Sequence, residues 1–388
     1  MVNQVSQRSR QGFVLRPWMV VTVLCTLYLI LITIHYYGSN SVMRVSLTAG
    51  EPSTFAFPLI RYQTPALEFV FPTPSGTEGY DGQFTYNIAA DPLNAASTLD
   101  VPAYRYQRIL QPLMARLLAF GQKLLIPWAM LGLDLVALAF GTAMLEQLLL
   151  IEHVSRWNAL TYGLFGGLFF AVRVSTSEPL AYGLVLAGIL AGQRKNFGIQ
   201  AILFGLAAFA KETTILFTVG YLGYFLLQRR WRDCVRLTIL GVLPFILWQI
   251  VLRLCLGQFG IGSGGAKATP FELIPFNGIW RIREAGMLVF VLFSLMLIPS
   301  AVFPSLWALW RGARDLIRQR WHPYVFVLLA NAAIMPFVPF STYREPLGIA
   351  RFLDGLVISV VLYAALRKSR GVLRLTTLWI AFGLRLLG

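Results

Sequence analysis

Residues 18–37, WMVVTVLCTLYLILITIHYY, contain no Asp, Glu, Lys or Arg. A run of about 20 such positions is long enough to cross the hydrocarbon core of a bilayer as one helix. Arg8, Arg10 and Arg16 precede it, no small-residue cleavage site follows, and Ile34-His35-Tyr36-Tyr37 has the make-up of an aromatic interfacial belt. The expectation is an uncleaved anchor whose N-terminal residues 1–17 are cytoplasmic. Further spans are predicted at 124–147, 157–173, 177–192, 198–210, 213–228, 235–256, 285–310, 322–341 and 345–366, with a weak last one at 372–387. The composition agrees: of 388 residues, 57% are hydrophobic and 13% charged, and the mean hydropathy is +0.65. Soluble domains carry roughly a quarter charged residues, so a soluble enzyme is excluded, as are a disordered chain, a disulfide scaffold and a collagen-like rod. The fold class is an all-α polytopic membrane protein of about 10–11 transmembrane helices. Residues 38–123 form a large first extracytoplasmic loop carrying interfacial helices, and 124–388 form a multi-helix bundle.

The net charge of +16 is concentrated in short connections: Arg194 and Lys195; Arg229, Arg230, Arg232 and Arg236; Arg311, Arg314, Arg318 and Arg320; Arg367, Lys368, Arg370 and Arg374. Recurrence at every second connection is the positive-inside pattern. The charge therefore serves topology and contact with membrane lipids, and no nucleic-acid partner is expected. The three cysteines (Cys25, Cys234, Cys255) and three dispersed histidines lack metal-site spacing. Neither a phosphate-binding Gly-rich loop ending in Lys-Ser/Thr nor a GxGxxG turn is present.

Positive-inside counting puts Glu51, Glu68, Glu78, Asp81, Asp91, Asp100, Glu178, Glu212, Glu272, Glu284 and Glu345 on the outer side, where an acid-using site is expected. Glu78 to Pro92 is the densest group, mixing Asp81, Gln83, Tyr86 and Asn87, which suits sugar hydroxyls needing paired donors and acceptors. Two readings of Asp81 stay open: the N-cap of a helix from Gly82 to Ala90, or a catalytic base on an ordered loop. Asp91-Pro92 reads as a helix end. Arg105 and Arg108 lie one helical turn apart and could converge on one anion, or touch lipid phosphates. Residues 106–118 have the spacing of an interfacial helix, kinked or split at Pro112. The pair 198–228 is odd, with Lys211-Glu212-Thr213 at its middle; two tilted or partly re-entrant helices meeting near the outer surface fit. Gly257 to Gly265 reads as a mobile lid.

Asp81-Gly82-Gln83-Phe84 with Tyr104-Arg105-Tyr106-Gln107-Arg108-Ile109-Leu110 resembles the first outer loop of bacterial membrane proteins of the GT-C glycosyltransferase superfamily. Ser175-Thr176-Ser177-Glu178-Pro179, Ala210-Lys211-Glu212-Thr213 and Tyr343-Arg344-Glu345-Pro346 with Arg351 fit the same resemblance. It covers most of the chain through topology, and only the first-loop pair is more than weakly specific. The resemblance implies a polyprenyl-phosphate-linked sugar donor, an envelope glycan, lipid or protein acceptor, and a multi-pass location in the bacterial inner (cytoplasmic) membrane with an extracytoplasmic active site. It maps the loop acid onto Asp81, as catalytic base of an inverting displacement, and the second acid, less firmly, onto Glu178.

Breaking the anomeric C–O bond builds negative charge on the departing phosphate, so cations are needed beside the base. Lys211, Arg344, Arg351, Arg105 and Arg108 are the candidates, with Glu78, Gln83, Tyr86, Glu212 and Glu345 as further substrate-binding residues. Structural roles compete: Lys211 with Glu212 or Glu178, Arg351 with Asp354, Asp134 with a neighbouring helix, and Trp280, Trp307 and Trp310 as belt residues. No cofactor is certain; a divalent cation between Asp81 and Glu178 is one option, a shared proton or a bound sugar the others. The alternative function is a lipid or solute transporter or flippase.

Overall fold

A computed structural model describes residues 15–38 and 81–384. Glu51, Glu68 and Glu78, residues 1–14 of the expected cytoplasmic segment and residues 39–80 of the first loop lie outside the described residues. Among those described there are helices and connections and no strand. Helices answer the physical problem the composition sets, because apolar surroundings leave each backbone group to find its partner inside the chain.

The main elements are α1 (Pro17–Gly38), α2 (Gly82–Ala90), α3 (Pro102–Tyr106), α4 (Leu110–Leu118), α5 (Ile126–Ile151), α6 (Gly166–Arg173), α7 (Glu178–Gln193), α8 (Phe197–Ala210), α9 (Ile215–Leu227), α10 (Trp231–Leu256), α11 (Met287–Ile317), α12 (Pro323–Ile334), α13 (Pro346–Leu366), α14 (Arg370–Leu375) and α15 (Leu378–Leu384). Four of them, α5, α10, α11 and α13, are long and apolar enough to cross a membrane. They differ in surroundings. In α13 89% of the most apolar window is buried, against 22% in α10 and 17% in α11. Thus α13 is the central post, and α10 and α11 turn apolar faces such as Leu247, Leu254, Leu288 and Leu295 outward. Exposed apolar surface of that extent suits a hydrocarbon solvent.

Two departures from the expected spans have local causes. The stretch 157–173 breaks after Leu160–Gly163 and resumes as α6, buried from Gly166 to Val172, at a point where Gly163 and Gly167 let neighbours approach closely. The helix expected over 285–310 continues to Ile317, so Arg311 and Arg314 extend a helix rather than a loop and both lie over the Trp310 ring. Proline shapes α10 and α11. Each widens to a π-turn, Thr238–Val242 and Ile298–Val302, just before Pro244 and Pro304. The wider turn accommodates a residue that donates no N–H.

Tight helix crossings depend on glycine. A Cβ on Gly167 of α6 would lie 2.3 Å from the Ala350 carbonyl oxygen of α13, and one on Gly220 of α9 would lie 2.8 Å from the Val327 backbone of α12. Gly132 of α5 has nothing within 4 Å of such a Cβ. Gly167→Ala and Gly220→Ala are therefore expected to destabilise by about 1–3 kcal/mol through overpacking. Gly132→Ala gains up to roughly 1 kcal/mol from helix propensity. Thermal denaturation of the three variants in one detergent checks the order; equal behaviour of all three would refute the packing argument.

Candidate active site

The site begins with α2. The helix from Gly82 to Ala90 is present and Asp91 ends it, as its residues suggested. Its far end is tied down by Arg116 of α4, whose Nη1 donates to the carbonyls of Ala89 and Ala90 at 2.9 and 3.0 Å. A cation at a helix C-terminus also meets the favourable end of the helix dipole. Tyr86 is 2% exposed and packs in the main core, which fixes the rotation of α2. The predicted helix over 106–118 is split: α3 ends at Tyr106 and α4 starts at Leu110. Pro112 sits in the first turn of α4, where no backbone N–H is required. The split is held by Trp248 of α10, whose Nε1 donates to the Tyr106 carbonyl at 3.0 Å.

Asp81 occupies the N-cap position of α2, yet its carboxylate makes no capping hydrogen bond. It turns to two arginines from distant parts of the chain. Arg105 Nη1 donates to Oδ1 at 2.9 Å, and Arg351 Nη1 donates to Oδ2 at 3.0 Å. The chain of pairs continues in both directions. Arg105 grips Asp100 through Nε and Nη2, at 2.7 and 2.8 Å, and its guanidinium lies 4.1 Å over the Phe84 ring. Arg351 Nε donates to Glu178 Oε1 at 2.6 Å, and the same oxygen accepts from Lys211 Nζ. Beside them Arg108 forms a fork onto Glu212 at 2.6 and 2.8 Å and reaches the Tyr104 hydroxyl at 2.7 Å.

Four carboxylates and four cations thus share one site. Arg105 pairs with Asp81 and Asp100, and Arg108 with Glu212, while both guanidiniums lie over the Tyr104 ring and both line the same pocket. Arg351 ignores Asp354 on its own helix, since Glu178 and Asp81 lie within reach on the other side. The space between Asp81 and Glu178, where a divalent cation was an option, is bridged by Arg351. Among the described residues no group of three His, Cys, Asp or Glu could hold a metal. Burial raises the Asp81 carboxyl, but the charges of Arg105, Arg351 and Arg108 and the hydrogen bond from Arg351 outweigh it and hold its pKa well below the usual carboxylate value. Asp100 is lowered in the same way, burial being outweighed by Arg105 and by backbone N–H groups of Ala266 and Val101.

Asp81, Arg105, Arg108 and Arg351 line a small pocket with Phe84, Thr85, Thr176 and Ser177. Its volume is about 20 Å³, room for about one water. Ser175, at the turn into α7, holds a left-handed backbone (φ 49°), a conformation disfavoured for a residue with a Cβ. That turn delivers Thr176 and Ser177 to the wall. The Gly257–Gly265 stretch is pinned beside the site: Gln249 Oε1 accepts from the N–H groups of Gly260 and Ile261, and Ala266 N–H donates to Asp100 at 3.1 Å.

Glu178 and Lys211 are 0% and 5% exposed and stand behind this pocket rather than in its wall, as does Glu212. Gln83, Tyr86, Arg344 and Glu345 are also outside its lining; Arg344 is exposed and stacks on Phe340. Asp134 accepts from Gln111 Nε2 at 2.8 Å, the helix-to-helix bond its isolation suggested. Asp100, Phe84 and Tyr104 were not singled out as site residues. Asp100 carried a signal nonetheless, an acid just before a short helix whose first turns hold Arg105. No protein-family model, curated protein or solved structure matches this chain.

Two outcomes follow. Glu178→Gln leaves Lys211 and Arg351 buried without their shared carboxylate, and is expected to cost about 3–5 kcal/mol, with partial recovery in Glu178→Gln/Lys211→Met. Denaturation in detergent reads both. Because the folded pKa of Asp81 is depressed, its stabilisation is fully present above about pH 4 and is lost as pH falls through the folded value. The difference in melting temperature between wild type and Asp81→Asn is therefore constant from pH 8 to about pH 5 and shrinks below about pH 4. A difference that instead fades between those two higher values would contradict the ion-pair geometry.

Proposed function

We propose that this protein is a GT-C-type membrane glycosyltransferase that moves a sugar from a polyprenyl-phosphate carrier to an envelope glycan, lipid or protein acceptor, inverting the anomeric centre. In this reading it is a multi-pass protein of the bacterial inner membrane with about 10–11 spans, a cytoplasmic N-terminus and its site facing outward. The observation that carries it is Asp81, a carboxylate at a pocket wall, held between Arg105 and Arg351 with Arg108 alongside. An acid to take a proton and arginines to take a phosphate are the two needs of this reaction.

The step balances as a single displacement. The acceptor hydroxyl attacks the anomeric carbon, its proton passes to Asp81, and the C–O bond to phosphate breaks with its electron pair leaving on the polyprenyl phosphate. A carboxylate gripped by two arginines is a weak base. A donor phosphate that draws Arg105 or Arg351 to itself removes what lowers the Asp81 pKa, so donor binding raises the basicity of the acid at the moment it is needed. Glu178 acts in this scheme as a positioning residue, holding Arg351 and Lys211 from behind. A pocket this small must widen to admit a sugar, and release of the Gly257–Gly265 stretch from its ties to Gln249 and Asp100 is the backbone movement beside it that would do so.

The test is sugar transfer in proteoliposomes given a panel of radiolabelled polyprenyl-phosphate sugars and envelope acceptors. Asp81→Asn is expected to lower the rate by roughly 10²–10⁴ while donor binding persists. Equal rates in the two proteins would remove Asp81 from the chemistry. Absence of both transfer and donor binding in the folded wild type would turn the reading to a lipid or solute transporter.

A further inference from the structure

The site at the N-terminus of α7 leaves its other end unexplained. From Glu178 to Gln193 the helix rises about 22 Å, which sets its far end well apart from the Asp81 pocket. At the Gln193 end lies a cavity of about 360 Å³ between α7, α8, α9 and the start of α12, far roomier than the pocket at Asp81. Its walls combine cations with aromatic rings, and among the described residues no carboxylate lines it. The Arg230 guanidinium lies 4.4 Å over Phe197 and 4.6 Å over Phe225. It gives Nε and Nη2 to Asp233 at 2.9 and 2.6 Å, while Nη1 has no hydrogen bond among the described residues. Lys195 is exposed on a left-handed turn (φ 61°) and has no ion pair among the described residues. His322 Nδ1 accepts the Tyr324 N–H at 3.2 Å, so its Nε2 carries the proton and is a donor.

The helices that form this cavity separate an amphiphile from a soluble anion. Ile199 and Ile202 of α8, next to Phe197, are 48% and 47% exposed, and Leu226 and Leu227 of α9, next to Phe225, are 48% and 45% exposed. The two helices that wall this cationic, donor-bearing hollow thus also carry exposed apolar surface on their other sides. Basic pockets between membrane helices suit anionic headgroups for this reason: the phosphate meets the cations while the acyl chains stay in the hydrocarbon. We propose that this cavity binds an anionic phospholipid, its headgroup phosphate against Lys195 and Arg230 and its chains along α8 and α9. The site is distinct from the one at Asp81 and does not depend on the transferase reading.

The experiment uses the full chain, purified and delipidated in detergent, titrated with phosphatidylglycerol or phosphatidylcholine, with adducts counted by native mass spectrometry. Phosphatidylglycerol is expected to bind the wild type more tightly than phosphatidylcholine. Lys195→Gln is expected to weaken it about fivefold, the effect of one surface charge near the headgroup. Arg318→Gln, which removes one charge outside the cavity, leaves binding unchanged. Lys195 has no partner to lose, so this variant keeps the fold even if Arg230→Gln does not. Equal retention of the two lipids overturns the proposal, as does equal weakening by Lys195→Gln and Arg318→Gln. Displacement of the lipid by millimolar inorganic phosphate also overturns it, by assigning the hollow to a soluble anion.

Discussion

The interaction on which this structure turns is Glu178 receiving Arg351 and Lys211 on one carboxylate oxygen. All three are nearly or wholly enclosed, and none could be buried alone without a large desolvation cost. Their meeting requires the N-terminus of α7, the α8–α9 junction and the first turns of α13 to come together. One ion triad therefore sets the relative position of three parts of the bundle. Glu178 also stands in the first turn of α7, where the helix dipole favours an anion.

From that triad the order propagates outward. Arg351 is held at Nε by Glu178 and so presents Nη1 to Asp81. Arg105, held from its other side by Asp100, completes the grip. Asp100 in turn takes the backbone of Ala266, which links the glycine-rich stretch to the same network. A change in that stretch is thereby coupled to the arginine that faces Asp81. The network holds as many acids as bases, so an arriving anion must compete with a carboxylate for each arginine it uses. That competition gives the proposed transferase a way to keep its base inactive until a phosphate is present.

Much of the framework was legible from residue order. The breaks near 193–197, 210–215 and 228–231 coincide with polar or basic residues in apolar surroundings, because a charge in mid-span is too costly to be tolerated without a partner. The helix from Gly82 to Ala90 was legible from the turn residues at each end. The pairing within the site was not. Arg351 stands three residues from Asp354, and the helical neighbour is the natural guess, yet the partner chosen is 173 positions away. Arg105 and Arg108, one helical turn apart, looked like one clamp; in the fold each already holds carboxylates, Asp81 and Asp100 for Arg105 and Glu212 for Arg108.

By itself the sequence determined the apolar, helical character of the chain, the length and order of its apolar stretches, and the acids and bases that need an explanation. These follow from composition and period, which are local properties. Only the tertiary structure decided which carboxylate each cation serves, which of those residues reach the pocket and which stand behind it, and that a second, basic and aromatic hollow forms at the far end of α7. Those outcomes depend on helices distant in sequence packing at glycine contacts, and a long charged side chain can reach several partners until that packing selects one.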